Sequence, residues 1–118
     1  MHDLDTMSAL EDRREAGATQ VAHRVTIYVA GKPEPIDTLA LRLSRLFGGG
    51  TMLPGTGVWL DRGLMLKGLA YRLEFLTERA PGPELREHLA TFLRESGEKE
   101  ALLLVEPLRA SAESVRLP

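Results

Sequence analysis

Two stretches of this sequence carry the periodicity of an amphipathic helix. In residues 36–47, apolar side chains recur at i, i+3, i+4, i+7, i+10 and i+11, which places one apolar stripe on a 3.6-residue repeat. Residues 85–93 carry a second such stripe. Pro35 suits a first helical turn, and Gly48 and Gly97 suit the left-handed position that closes a helix. The sequence therefore predicts two helices, each with one apolar side to bury.

Three segments have the pattern of strands with one buried side. From Arg24 onward, apolar residues alternate with polar ones, which is the period of a half-buried strand. A second strand is predicted at residues 51–60, bent or bulged at Gly55 and Gly57, because glycines weaken a strand interior. After a turn at residues 61–63, residues 69–76 predict a third strand in the centre of the sheet.

The fourth strand has a different pattern. Residues 101–105 are all apolar, which is typical of a strand that is covered on both faces. We expect Pro107 to end it, since proline cannot donate a ladder hydrogen bond.

The resulting order, β-α-β-β-α-β, indicates an α+β fold, the ferredoxin-like plait. This fold has a four-stranded antiparallel sheet with two helices on one face. We expect one domain at residues 23–108, a mobile N-terminal arm at residues 1–22 and a loose C-terminal tail at residues 109–118. The sheet face opposite the helices is predicted to be rather apolar. A second copy of the chain is the expected cover, with the terminal segments as an alternative.

Composition excludes several classes of protein. The chain has no cysteine, so it forms no disulfide framework, thiolate metal site or cysteine nucleophile. No apolar run is long enough to span a membrane, and no secretory leader is recognisable, so we expect a soluble, cytoplasmic protein. A formal net charge of -2 disfavours nucleic acid as a partner. The absence of asparagine is compatible with a thermophilic source.

The glycine-rich segment, residues 48–63, is a candidate small-molecule site. Gly55, Gly57 and Trp59 are its candidate ligand-binding residues, with the indole as a stacking surface. The segment is not a phosphate loop, because Thr56 stands where that motif needs lysine and a helix precedes the glycines instead of following them. A helix cap followed by a strand, with Trp59 in the core, is the structural alternative.

Two motifs resemble known families. The pattern Gly-Gly-x-Thr followed by Gly-x-Gly-x-Trp, within residues 48–106, resembles uncharacterised bacterial and phage plait domains. Residues 27–31 (Ile-Tyr-Val-Ala-Gly) and 67–71 (Lys-Gly-Leu-Ala-Tyr) resemble the strand signatures of the RNA-recognition motif. The second resemblance implies a nucleic-acid-binding alternative in which Tyr28, Tyr71 and Lys67 contact the bases and backbone. The element order is also similar to that of trimeric signal-transduction plaits.

No catalytic constellation is evident. His2, His23 and His88 lack metal-ligand spacing, and no serine lies in a nucleophile elbow. We therefore predict a non-enzymatic binding or regulatory domain that needs no cofactor or metal and acts through homo-oligomerisation or contact with another protein. The candidate partner-binding residues are Arg42, Arg45, Leu102 and Leu104.

Overall fold

The computed structural model describes residues 19–118. Its elements are β1 (Thr19–Ala30), α1 (Pro33–Phe47), β2 (Thr51–Asp61), β3 (Leu64–Thr77), α2 (Pro83–Ser96) and β4 (Leu102–Ala112). The strands form one antiparallel sheet in the order β2-β3-β1-β4, and β3 lies inside it as predicted. The predicted ferredoxin-like plait is confirmed. Within this described range, no helix is both long and apolar enough to cross a lipid bilayer.

The helices begin and end at the proline and glycine signals. α1 starts at Pro33, one position beyond its N-cap Lys32 and two residues before the predicted Pro35. At its end Gly48 has φ 84°, and its N–H donates to the carbonyl oxygen of Ser44 at 2.7 Å. α2 ends in the same way at Gly97, with φ 78°. Only glycine takes this left-handed conformation without a steric penalty, so the caps fix both helix ends.

The core lies between the helices and one face of the sheet. Alternate residues of β1 point toward the helices, and both helical stripes meet them. The buried core side chains come from β1, α1, β3 and α2: Val25, Ile27, Val29, Ile36, Leu39, Leu43, Leu73, Phe75, Leu85, Leu89 and Phe92. The rings of Phe47 and Phe75 add an aromatic contact, with centroids 5.0 Å apart.

β1 and β4 are both longer than predicted. β1 begins at Thr19, so residues 19–22 belong to a strand and not to the expected arm, whose remaining residues 1–18 lie outside the described range. β4 continues through Pro107 to Ala112, so the expectation that this proline ends the strand was wrong. The two extensions pair with each other, Thr19 with Ala112 and Val21 with Ala110. On an edge strand the missing N–H of proline removes no necessary hydrogen bond.

The predicted bulge in β2 was also wrong. β2 pairs with β3 without a register shift, including Gly55 with Ala70 and Gly57 with Gly68. The hairpin closes at Arg62 and Gly63, whose φ angles are 53° and 79°, as a tight turn requires. Because β1 pairs with β3 only as far as Ala70, residues 57–68 continue beyond it as a two-stranded extension, called here the β2–β3 arm.

Candidate functional site

The sheet has one face against the helices and one without such a cover, called here the open face. Side chains alternate between the faces of a strand, so Tyr28 lies on the open face while its neighbours Ile27 and Val29 are buried. The pairing register then shows which residues of the neighbouring strands lie on the same face. Tyr28 is flanked by Arg72 of β3 and Leu102 of β4.

Apolar side chains remain exposed on the open face. Leu102 is 63% exposed and Leu104 is 45% exposed, so β4 is not covered on both faces as its apolar run predicted. On the helix side of β4, Leu103 packs against the core, while Val105 is 40% exposed. The exposed large apolar residues of the open face, outside the arm, are Tyr28, Leu53, Leu76, Leu102 and Leu104.

The β2–β3 arm is apolar on both of its faces. Leu60 and Met65 pair on the helix side of the sheet, while Trp59 and Leu66 pair on the other side. Leu60 is 76% exposed and Leu64 is 69% exposed. The sequence already contained the signal, an apolar run at residues 64–66 directly after the turn, but our strand prediction started only at residue 69.

Trp59 is not a core residue. It is 42% exposed, and its indole lies back along the arm over the paired glycines. A Cβ atom built on Gly68 would lie 2.9 Å from Cη2 of the indole, and one on Gly57 would lie 3.0 Å from Cζ3. The glycines are therefore needed for the close approach of the ring. Gly55, by contrast, has no atom within 4 Å of such a Cβ position.

A groove of about 640 Å³ lies where the arm leaves the sheet. One side is formed by Trp59 and Leu66 of the arm, and another by residues 97–100 of the α2–β4 connection. Ala30 and Ala70 contribute small side chains between them. Of the predicted ligand-binding residues, Gly57 and Trp59 line this groove and Gly55 does not.

The residues of the nucleic-acid alternative do not form one surface. Tyr71 pairs with Val29 and packs against the core, on the helix side of the sheet. Tyr28 lies on the open face, so the two rings are on opposite sides. Lys67 pairs with Val58 on the arm, again on the helix side. A stacking platform requires both rings on one face, because successive bases follow one surface.

Arg42 and Arg45 lie on α1, and the structure gives Arg42 a partner within the chain. Its Nη1 donates to Oε1 of Glu95 on α2 at 2.8 Å. This hydrogen bond raises the pKa of Arg42 and lowers the pKa of Glu95. Arg42 thus links the two helices, while Arg45 is exposed in the last turn of α1.

Groups suited to acid–base or metal chemistry are scattered. His88 is half-buried beside the apolar stripe of α2, and Nδ1 of His23 is buried without a hydrogen-bond partner among the described residues. In residues 19–118, no three His, Asp or Glu side chains lie close enough together to hold a metal ion. The distinctive surfaces of this chain are therefore the open face, the arm and the groove between them.

The chain resembles known proteins in structure but not in sequence. No family model and no curated protein matches the chain. CutA from Synechococcus elongatus superposes with a TM-score of 0.56 at 12% identity, covering 85% of this chain and 88% of that one. A phage SAM lyase in complex with S-methyl-5'-thioadenosine has a TM-score of 0.56 at 9% identity, covering 81% and 92%. A phage SAM lyase in the apo state gives 0.51 at 11% identity, covering 83% and 94%.

What these proteins share with the chain is the fold. At such low identity a common fold carries no statement about ligand, activity or assembly, because one fold supports many functions. The likeness covers most of each chain, so it concerns the complete β-α-β-β-α-β unit and not one hairpin or helix pair.

Proposed function

We propose that the chain is a small, non-enzymatic binding or regulatory domain that assembles with copies of itself through the open face and the β2–β3 arm. The observation that carries the proposal is the exposure of large apolar side chains on both the open face and the arm, from Leu104 on β4 to Leu64 at the tip of the arm. Monomeric proteins rarely expose an apolar patch of this size, and such patches mark contact surfaces.

The size of the surface suits a stable interface. With strands about 4.8 Å apart and a rise of about 3.3 Å per residue, the open face and the arm span roughly 700 Å². A standard protein interface buries about 800 Å² on each partner. Fully burying one leucine side chain contributes about 1.5–3 kcal/mol, so a few of these residues can offset the cost of association.

The charges on the open face favour a second copy over a strongly charged partner. Arg24 lies opposite Glu106 across the β1–β4 pair, and Arg72 and Glu74 lie on the same face of β3. The face thus carries two positive and two negative groups, which is a self-complementary set. A nucleic acid or a strongly acidic peptide gains little from such a balance. The proposal of a non-enzymatic role rests on the sequence, which lacks a catalytic constellation.

Sedimentation velocity over a concentration series tests the assembly. The variant Leu53→Glu with Leu104→Glu places two carboxylates on the open face, and both parent side chains are exposed, so the monomer fold should persist. The matched control is Leu41→Glu with Leu117→Glu, two exposed leucines outside the surface. We expect the parent and the control to be oligomeric and the open-face variant to be monomeric.

Two results would contradict the proposal. The first is a parent chain that stays monomeric at high micromolar concentration, because its open face is then stable without a second copy. Equal oligomerisation of the open-face variant and the control would place the contact elsewhere. Circular dichroism of all three chains separates a lost interface from a lost fold.

A further inference from the structure

The groove at the base of the arm combines an aromatic surface with an excess of negative charge. β1 ends at Ala30, while β2 and β3 continue, and this difference in length leaves a step in the sheet beside Trp59. The α2–β4 connection, residues 97–100, borders the same step. The groove therefore contains side chains from three separate parts of the chain.

We propose that this groove binds a small organic cation that carries a planar ring. The ring lies against the exposed face of Trp59, and the positive charge lies among Asp61, Glu98 and Glu100. The indole is the best side chain for such a contact, because the negative face of its π system attracts a cation within about 6 Å.

The indole is held in place for this role. The edge of the ring at Cζ3 and Cη2 lies close to the Gly57–Gly68 pair, which limits its movement. The neighbouring groove residues Ala30 and Ala70 are small and leave room for a flat ligand beside the ring. A stacking surface that is already fixed loses little conformational entropy when a ligand binds.

The charge of the groove selects for a cation. Asp61, Glu98 and Glu100 line it, against one positive residue, Lys99. Glu98 is half-buried beside Gly31, where a Cβ on the glycine would lie 3.4 Å from its Cγ, and its backbone N–H donates to Oγ of Ser96 at 3.2 Å. These contacts hold Glu98, the first carboxylate of residues 98–100, in place.

A second hollow also borders Trp59, and its charged groups reduce the preference for a cation only partly. There Glu95 is paired with Arg42, Glu98 contributes to this side as well, and Lys32 adds one positive charge. The cation is therefore expected to approach from the side of Asp61 and Glu100.

The groove overlaps the surface proposed for assembly, since Tyr28, Leu102, Trp59 and Leu66 belong to both. All its lining residues belong to one copy, so a single chain can form the site, and the monomeric form leaves it uncovered. Neither Leu53 nor Leu104 lines it. A monomeric variant with glutamates at these two positions can therefore be tested for binding separately from oligomerisation.

Trp59 is the only tryptophan of the sequence, so intrinsic fluorescence reports on this groove alone. Three probes of similar shape separate charge from ring stacking: 1-methylnicotinamide, a cation; nicotinamide, which is neutral; and nicotinate, an anion. We expect saturable quenching by 1-methylnicotinamide, weaker saturable quenching by nicotinamide, and only a linear, collisional response to nicotinate. The same order is expected in the Leu53→Glu, Leu104→Glu variant.

Carboxylate variants test the source of the preference. Glu98→Gln with Glu100→Gln should weaken the binding of 1-methylnicotinamide several-fold and leave nicotinamide unchanged. Glu84→Gln with Glu87→Gln removes two exposed carboxylates of α2 outside the groove and should leave both unchanged. Linear quenching by all three probes would overturn the proposal, as would equal effects of the two double variants. Loss of saturable quenching in the monomeric variant would overturn the claim that one chain forms the site.

Discussion

The indole of Trp59 lies directly over Gly68 of the neighbouring strand, so closely that a Cβ atom at residue 68 would be 2.9 Å from Cη2 of the ring. This contact joins β2 to β3 where neither strand has another neighbour, since β1 has already ended. A glycine pair usually weakens a strand, and an aromatic ring over it restores side-chain cover. The contact thus helps to explain why β2 pairs with β3 without a register shift where a bulge was predicted.

We expect Gly68→Ala to displace the indole of Trp59. The new methyl group occupies the position of the ring, but the ring can swing into solvent, so the loss of stability should be small, about 1 kcal/mol. The measurable result is a red shift of tryptophan emission. Gly55→Ala is the control, because its added Cβ meets no atom within 4 Å. An unchanged emission spectrum in Gly68→Ala would show that the ring does not rest on this glycine.

Gly50→Ala should be far more harmful than most glycine substitutions in this chain. Its Cβ would collide with the ring of Phe75 and lie 2.6 Å from the carbonyl oxygen of Glu74, and backbone cannot move aside cheaply. We expect a loss of about 1–3 kcal/mol in the free energy of unfolding, measured by urea denaturation. Gly55→Ala is again the control, since its Cβ position is empty and it caps no helix. Equal stability of the two variants would contradict this packing.

Phe92→Ala tests the contact of α2 with the core. Phe92 is among the largest fully buried side chains, so its truncation leaves a cavity and should cost about 3–5 kcal/mol. Leu41→Ala, on the exposed side of α1 and 53% exposed, should change stability by less than about 0.5 kcal/mol. Thermal unfolding followed by circular dichroism distinguishes them. A mild effect at Phe92 would mean that α2 does not cover the sheet.

The Arg42–Glu95 pair should make a small contribution to stability that depends on pH. The hydrogen bond from Arg42 lowers the pKa of Glu95 in the folded state, so the contribution is complete above the unfolded-state pKa. It is lost as the pH falls through the lowered, folded-state pKa. Glu95→Gln should therefore be less stable than the parent at neutral pH and equal to it in acid, by urea midpoints.

A difference between Glu95→Gln and the parent that persists in strong acid would assign the effect to packing instead of charge. Because both side chains are on the surface, the effect should also shrink in high salt. Glu87→Gln, which changes an exposed carboxylate elsewhere on α2, is the matched control.

The helices were predictable because each depends on a local and regular signal. The 3.6-residue stripe, the proline at the start and the glycine at the end all act within a few residues. The ends of β1 and β4 were not predictable in this way. Residues 19–22 form a strand because residues 110–112 lie beside them, and neither segment shows the alternation of a strand by itself.

The candidate site was predicted only in part. Trp59 and Gly57 were selected from the glycine-rich segment, but the carboxylates of the groove were not. Asp61 lies in that segment and was not selected, while Glu98 and Glu100 are distant in sequence. Tyr28 and Tyr71 matched one motif, yet the register of β1 and β3 places them on opposite faces. Arg42 looked like a surface group for a partner, but α2 brings Glu95 within hydrogen-bond distance.

The amino-acid sequence by itself determined that two amphipathic helices and four strands build an α+β plait, because periodicity and capping are properties of neighbouring residues. Tertiary structure alone decided which apolar side chains stay exposed. The length of β1 relative to β2 and β3 sets the arm and the groove, and that length depends on pairing between distant strands. In the sequence, Leu102, Leu104 and the apolar residues of the arm look like core residues. They stay exposed because the helices do not cover them.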